Sequence, residues 1–131
     1  MPILNGILET SLYVEDLDRS FHFYRDLFGF QVIDGGDRLY ALEICDHQVL
    51  LLFKKRASAN LDWAPHDGDG QLHLAFAIPL AELAAWEARL QQRGVVVEHR
   101  RTWERGGQSL YFRDPDRHLI ELATPGVWSI Y

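Results

Sequence analysis

The chain has one cysteine, Cys45, among 131 residues, which excludes an internal disulfide framework and any thiolate-rich metal cage within one chain. It also lacks a long hydrophobic run: none exceeds Val49–Phe53, far short of the roughly 20 residues that span a bilayer. The opening Met1-Pro2-Ile3-Leu4-Asn5 has no basic stretch leading into an apolar one, so no signal peptide is expected. Basic residues are the minority, 13 Lys and Arg against 19 Asp and Glu, for a formal charge of −6. That balance disfavours nucleic acid, whose phosphates call for a basic face. The expectation is a cytoplasmic protein with neither membrane nor nucleic acid as partner.

What is present reads as an ordinary globular chain, 47% hydrophobic and 24% charged. It also reads as one pattern written twice. A strand over Leu8–Val14 leads to a helix with Asp16 as N-cap, Leu17, Phe21, Tyr24 and Phe28 at helical spacing, and Gly29 as its stop. Strands follow over Phe30–Ile33, Arg38–Ile44 and His47–Phe53. After a polar connection the pattern restarts with a strand over Gln71–Ile78, a helix over Leu80–Arg93 and strands over Val95–Arg101, Gln108–Phe112 and His118–Ala123. The fold class is therefore α+β, with two βαβββ modules expected to form a curved, half-open barrel around a ligand trough. A single domain over 1–131 divides into a first module at about 5–55, a linker at about 54–70, a second module at about 71–124 and a tail at 125–131.

Strand alternation sorts the residues by face. Thr10, Leu12 and Val14 turn to the helix and leave Glu9, Ser11 and Tyr13 opposite; Leu72, Leu74, Phe76 and Ile78 do the same and leave His73, Ala75 and Ala77. Aligning the two repeats sets Glu9 against His73 and Leu51 against Glu121. Three of these four are metal-ligand types. Glu121 stands among Leu119, Ile120, Leu122 and Ala123, where an unpaired carboxylate is costly. A divalent cation would relieve that cost, and so would an arginine, with Arg113 and Arg117 near in sequence.

At this point the chain resembles the vicinal oxygen chelate superfamily, which includes glyoxalase I, fosfomycin-resistance enzymes, extradiol dioxygenases and bleomycin-resistance proteins. The resemblance runs through Glu9–Ser20, Phe23–Phe30, His73–Ile78 and Leu110–Asp116 on to Glu121-Leu122. It implies a metal site on the inner strands, with ligands at Glu9 (where histidine is more usual), His73 and Glu121. The fourth position of glyoxalase I falls near Leu51, which leaves more of the coordination sphere to water or a chelating substrate. One nitrogen and two carboxylates suit Mn²⁺, Fe²⁺, Ni²⁺, Co²⁺ or Zn²⁺.

The family theme is a small organic substrate that chelates the metal through adjacent oxygens. Tyr111 is expected to share a face with Glu121 and to serve as hydrogen-bond donor or general acid. Tyr13, Arg38, Tyr40, Leu51 and Phe53 are the candidate substrate-binding residues, an apolar and partly aromatic wall with one cation. The stretch from Leu110 to Glu121 is similar to the extradiol dioxygenase signature, with two departures. Trp103, Glu104 and Arg105 occupy the region of its histidine, and Arg117 stands where glycine usually turns the chain. The resemblance also implies a homodimer. A metal-dependent enzyme of lyase, isomerase or dioxygenase type is one reading; a metal-free ligand-sequestering protein of bleomycin-resistance type is the alternative.

Overall fold

Leu12 and Val14 alternate with Ser11 and Tyr13 along β1 (Glu9–Val14), and only Leu12 and Val14 are buried. The computed structural model describes residues 1–131, which fall into two units, Met1–Asp69 and Gly70–Tyr131. In the first unit β1 is followed by α1 (Leu17–Phe28), β2 (Gln31–Gly35), β3 (Leu39–Cys45) and β4 (Gln48–Lys54). The sheet order is β1-β4-β3-β2, with β1 and β4 parallel and the other pairs antiparallel. A parallel pair needs a crossover of a dozen or more residues, and α1 with β2 and β3 supplies it.

Both caps of α1 are as its sequence predicts. The Asp16 carboxylate accepts from the Arg19 amide at 3.0 Å, and Gly29 closes the helix in the left-handed region at φ 77°, its amide donating to the Arg25 carbonyl at 2.8 Å. The inward stripe is rotated from the expected one. Leu17, Ser20, Tyr24 and Leu27 are buried, while Phe21 and Phe28 lie at its margins. Phe28 stacks on Phe30 at 5.0 Å and Phe21 on Tyr40 at 5.1 Å. The small Ser20 lets α1 approach β3 and β4 closely, and the large rings seal the edges.

The second unit repeats the plan with β5 (His73–Ala77), α2 (Leu83–Gln92), β6 (His99–Thr102), β7 (Gln108–Arg113) and β8 (Leu119–Ala123), in sheet order β5-β8-β7-β6. Its register copies the first. Glu9 pairs with Val49 as His73 pairs with Leu119, and Ala41 pairs with Leu51 as Tyr111 pairs with Glu121. Leu110, Phe112, Ile120 and Leu122 form the buried apolar face of this sheet.

Two expectations need correction in this unit. The helix expected from Leu80 opens as a 3₁₀ turn, Leu80–Glu82, behind Pro79, and the α-helix begins only at Leu83. The strand expected from Val95 begins at His99. The Val95 amide is still tied to the Leu90 carbonyl at 2.9 Å, and of residues 95–98 only Glu98 reaches the Tyr111 carbonyl, at 2.7 Å. Across the β7–β8 turn Phe112 faces Ile120, and Tyr111 stands opposite Glu121 as expected. Asp114 organises that turn by accepting from the amides of Asp116 and His118, both at 2.9 Å, and Arg117 takes φ 64°, a left-handed position usually left to glycine.

The tail after β8 folds back, and the Tyr131 hydroxyl donates to the carbonyls of Ile78 and Ala123 at 3.2 and 3.1 Å. No helix is long and apolar enough to cross a membrane.

Candidate functional site

Parallel pairing of β5 with β8 sets His73 opposite Leu119 and Ala75 opposite Glu121, so His73 and Glu121 rise from one face two residues out of step. The His73 Nδ1 lies 2.9 Å from the Leu119 carbonyl oxygen and its Nε2 lies 3.5 Å from Glu121 Oε2. A carbonyl only accepts, so Nδ1 carries the hydrogen. In the neutral ring Nε2 then aims a lone pair at a carboxylate oxygen. Two acceptors face each other, and the arrangement is complete only with a proton or a cation between them.

Glu121 sharpens this. Its side chain is 8% exposed against 51% for His73, and its Oε1 is buried with no hydrogen-bond partner. A buried unpartnered carboxylate oxygen costs several kcal/mol unless something positive meets it (about 1–3 for the lost hydrogen bond, more for a charge). The geometry suits a metal ion. Two ligands each about 2.1 Å from one ion at a tetrahedral angle stand about 3.4 Å apart, and the Nδ1–H to carbonyl bond is the partner that commonly orients a ligating histidine.

Tyr111 stands directly across from Glu121 on β7. Burial, then a hydrogen bond to Glu121 and the Glu121 charge, hold its phenol above the ordinary tyrosine value, against smaller opposing effects of Ser109 and Arg101. The hydroxyl therefore stays protonated at neutral pH and is a donor, not a base. Its ring stacks on His73 at 6.4 Å and lies 5.9 Å from His99, which β6 sets directly opposite it. Arg101 and Trp103 follow on the same strand edge, with the Arg101 guanidinium carbon 3.7 Å from the indole centroid. His99, Arg101 and Trp103 are site neighbours that sequence reasoning missed; the signal was their odd parity with Tyr111, hidden because β6 was placed too early.

Glu9 opens β1 in the first unit, exposed and opposite Val49. Neither unit by itself gathers three His, Cys, Asp or Glu side chains around one point. On the Glu9 face, Tyr13 stacks on Phe53 at 5.7 Å, and Leu51 sits half-buried opposite Ser11 and Ala41. Arg38 lies with its guanidinium carbon 5.6 Å from the Phe53 ring and donates to Ser58 Oγ at 2.8 Å.

Tyr40 does not join this wall. Its hydroxyl donates to Asp18 Oδ1 on α1 at 3.0 Å and its ring lies on Phe21. The cause is a β-bulge. The Cys45–Gln48 pairing at the turn gives way to Glu43–Val49, one residue out of step, and a one-residue slip sends every side chain beyond it to the other face. Leu39, not Tyr40, faces Phe53.

The connection expected as a plain linker also contributes. His66 Nδ1 lies 2.7 Å from the Tyr13 hydroxyl, and its ring meets Phe53 edge-on at 4.5 Å. A Cβ on Gly68 would stand 2.4 Å from the Tyr13 ring, so glycine is required for the loop to cross it. No periodic signal marks His66; only the folded loop brings it to Tyr13.

Comparison with known proteins adds a third line. The family described as the glyoxalase/bleomycin resistance protein/dioxygenase superfamily matches residues 6–122. The chain is 28% identical over 124 residues to a metallothiol transferase FosB of Shouchella clausii, covering 93% of this chain and 82% of that one. It is 29% identical to a fosfomycin resistance protein FosX of Listeria monocytogenes, covering 92% and 90%. Among solved structures, a lactoylglutathione lyase from Agrobacterium tumefaciens superimposes with a TM-score of 0.90 at 33% identity, covering 96% and 98%.

Proposed function

The chain belongs to the glyoxalase/bleomycin resistance protein/dioxygenase superfamily, and on that footing we propose that it is a divalent-metal-dependent enzyme acting on a small organic molecule that chelates the metal through adjacent oxygens. The observation that carries this is the His73–Glu121 pair: an Nε2 lone pair facing a carboxylate at 3.5 Å, with the other carboxylate oxygen buried and unpartnered. The names of the relatives support it, since they include a metallothiol transferase and a lyase.

In this reading His73 and Glu121 hold the ion and Glu9, at the same place in the other repeat, is the third ligand. Mn²⁺, Fe²⁺, Ni²⁺, Co²⁺ and Zn²⁺ all suit one nitrogen and two carboxylates. When bound, such an ion supplies Lewis-acid stabilisation of negative charge on chelating oxygens. The rest is work for the chain. Tyr111, kept protonated, donates a hydrogen bond to a substrate oxygen as charge develops there. Tyr13, Leu51 and Phe53 give the organic part an apolar surface, and Arg38, held by Ser58, offers a fixed cation beside it. Tyr40 takes a structural part against α1. A homodimer acting in the cytoplasm completes the proposal.

The test is elemental analysis of protein purified without chelator, with calorimetric titration of Mn²⁺, Ni²⁺ and Zn²⁺ into wild type, Glu121→Ala and Glu9→Ala. Near-stoichiometric metal that vanishes with Glu121→Ala supports the assignment, and a weaker site in Glu9→Ala assigns the third ligand. Wild type that takes up none of these ions overturns the enzyme. His73 and Glu121 would then be an imidazolium–carboxylate pair, and the metal-free sequestering protein would be the better reading.

A further inference from the structure

His118 is 0% exposed and takes no part in the chemistry proposed above. Its Nδ1 lies 2.9 Å from the Leu72 amide nitrogen. An amide N–H only donates, so Nδ1 accepts and the hydrogen of the neutral ring sits on Nε2. The main chain at His118 is fixed as well. Its amide donates to Asp114 Oδ1 at 2.9 Å, its carbonyl accepts from the Asp114 amide at 3.1 Å, and Asp114 is 4% exposed. The imidazole is therefore a rigid arm reaching from the β7–β8 turn to the residue before His73.

Both polar groups of Leu72 are tied to that turn. Its amide donates to His118, and its carbonyl accepts from the Leu119 amide at 2.8 Å. His73, the next residue, then gives its Nδ1–H to the Leu119 carbonyl at 2.9 Å. Residues 118 and 119 thus hold the peptide that leads into His73 and also the His73 ring. The ring bond leaves Nε2 as the nitrogen that faces Glu121.

The first repeat is an internal control. Glu9 pairs with Val49 as His73 pairs with Leu119, and the Val49 amide donates to the Leu8 carbonyl at 3.0 Å as the Leu119 amide does to Leu72. Gln48 occupies the place of His118, yet it is exposed and its Oε1 accepts from Cys45 Sγ at 3.5 Å. The strand pairing therefore forms without a side-chain bond to the residue before the strand. What the second repeat gains from His118 is a fixed origin for His73, whose side chain is 51% exposed and has little packing of its own to hold it. A ligating group needs placement to a fraction of an ångström, and supporting hydrogen bonds supply it.

We propose that His118 is a positioning residue for His73: by holding the Leu72 peptide it fixes where the His73 ring stands and which ring nitrogen faces Glu121. This rests on the metal-enzyme reading for what His73 binds; the placement of the ring does not depend on it.

The experiment compares His118→Asn, His118→Gln and His118→Leu with wild type. Asparagine sets an oxygen where Nδ1 stood and keeps an acceptor for Leu72; glutamine sets its oxygen nearer Nε2 and loses it. The first readout is the ¹⁵N NMR signal of the His73 ring in metal-free protein at about pH 9, where a free imidazole is neutral. The second is Zn²⁺ affinity by calorimetry. Wild type and His118→Asn are expected to show His73 protonated on Nδ1. In His118→Gln and His118→Leu the hydrogen is shared between both nitrogens, and Zn²⁺ binds about tenfold or more weakly, the scale of a lost supporting bond at a metal ligand. If His118→Leu does not fold, the contrast between asparagine and glutamine decides. A lowered melting temperature with the His73 signal and Zn²⁺ affinity unchanged in His118→Gln means that His118 serves the fold alone and overturns the proposal. So does a His118→Asn variant that behaves as His118→Gln does. Wild type that takes up no Zn²⁺ removes the metal-enzyme reading, and the His73 signals still decide the placement.

Discussion

Glu121 is the residue where stability and function part company. A carboxylate facing a lone pair, with its other oxygen buried and unpartnered, is a poor choice for a metal-free fold, and proteins keep such residues for what they do. Glu121→Gln keeps the shape and supplies an N–H that can donate to His73 Nε2. It is expected to raise the stability of metal-free protein by about 1 kcal/mol in urea unfolding while abolishing metal uptake. A loss of stability instead would mean that the pair is an imidazolium–carboxylate ion pair. Tyr111 gives a second residue-scale prediction. Its phenol lies above the ordinary value through burial first and Glu121 second, so its contribution to stability is complete below about pH 10 and is lost as pH rises through the higher folded value. Absorbance of ionised tyrosine should show late-titrating groups, with one fewer in Tyr111→Phe and an earlier onset in Glu121→Ala.

At the scale of elements, the chain punctuates itself with local signals, and these were legible. Asp16 and Gly29 cap α1 as their chemistry demands, and each can be tested alone. Asp16→Ala removes the acceptor for the Arg19 amide and is expected to cost about 1 kcal/mol. Gly29→Ala meets open space, nothing lying within 4 Å of the new Cβ, so its cost of about 1–2 kcal/mol comes from the left-handed backbone alone. Urea unfolding of both variants checks the pair; a neutral Gly29→Ala would show that the helix can end elsewhere. Where element boundaries were misplaced, a tertiary bond had displaced a local preference. Val95–Val97 have strand-forming side chains, yet Val95 stays bound to the end of α2, and the strand starts only where Tyr111 and its neighbours offer partners.

For the whole molecule, the repeat sets what each half contributes. Register is copied across β1–β4–β3 and β5–β8–β7, but Leu51 and Ala41 stand in the first unit where Glu121 and Tyr111 stand in the second. The His73–Glu121 pair and Tyr111 that the proposed chemistry rests on all lie in the second unit; Glu9, proposed as the third ligand, opens the first. Ligand linkage makes this measurable. An ion that binds only the folded protein, present at 100 times its dissociation constant, stabilises it by about 2.7 kcal/mol. A rise in melting temperature with Zn²⁺ or Mn²⁺ is expected in wild type and absent in Glu121→Ala. A partial rise in Glu9→Ala would give the first unit its share in the site, and a full rise would remove Glu9 from it.

The sequence by itself determined the order of elements, both caps of α1, the duplicated βαβββ plan and the ligand-type residues at matching positions. These follow from backbone periods of two and 3.6 and from capping chemistry, which act between residues close in the chain. The tertiary structure alone decided that Tyr40 turns to α1, because one bulge at the β3–β4 turn reverses every face beyond it. It also decided that His66 folds onto Tyr13, that His99 stands beside Tyr111 despite being 12 residues away, and that Arg101 rests on Trp103. Those contacts depend on register and loop path, which short-range periodicity does not encode.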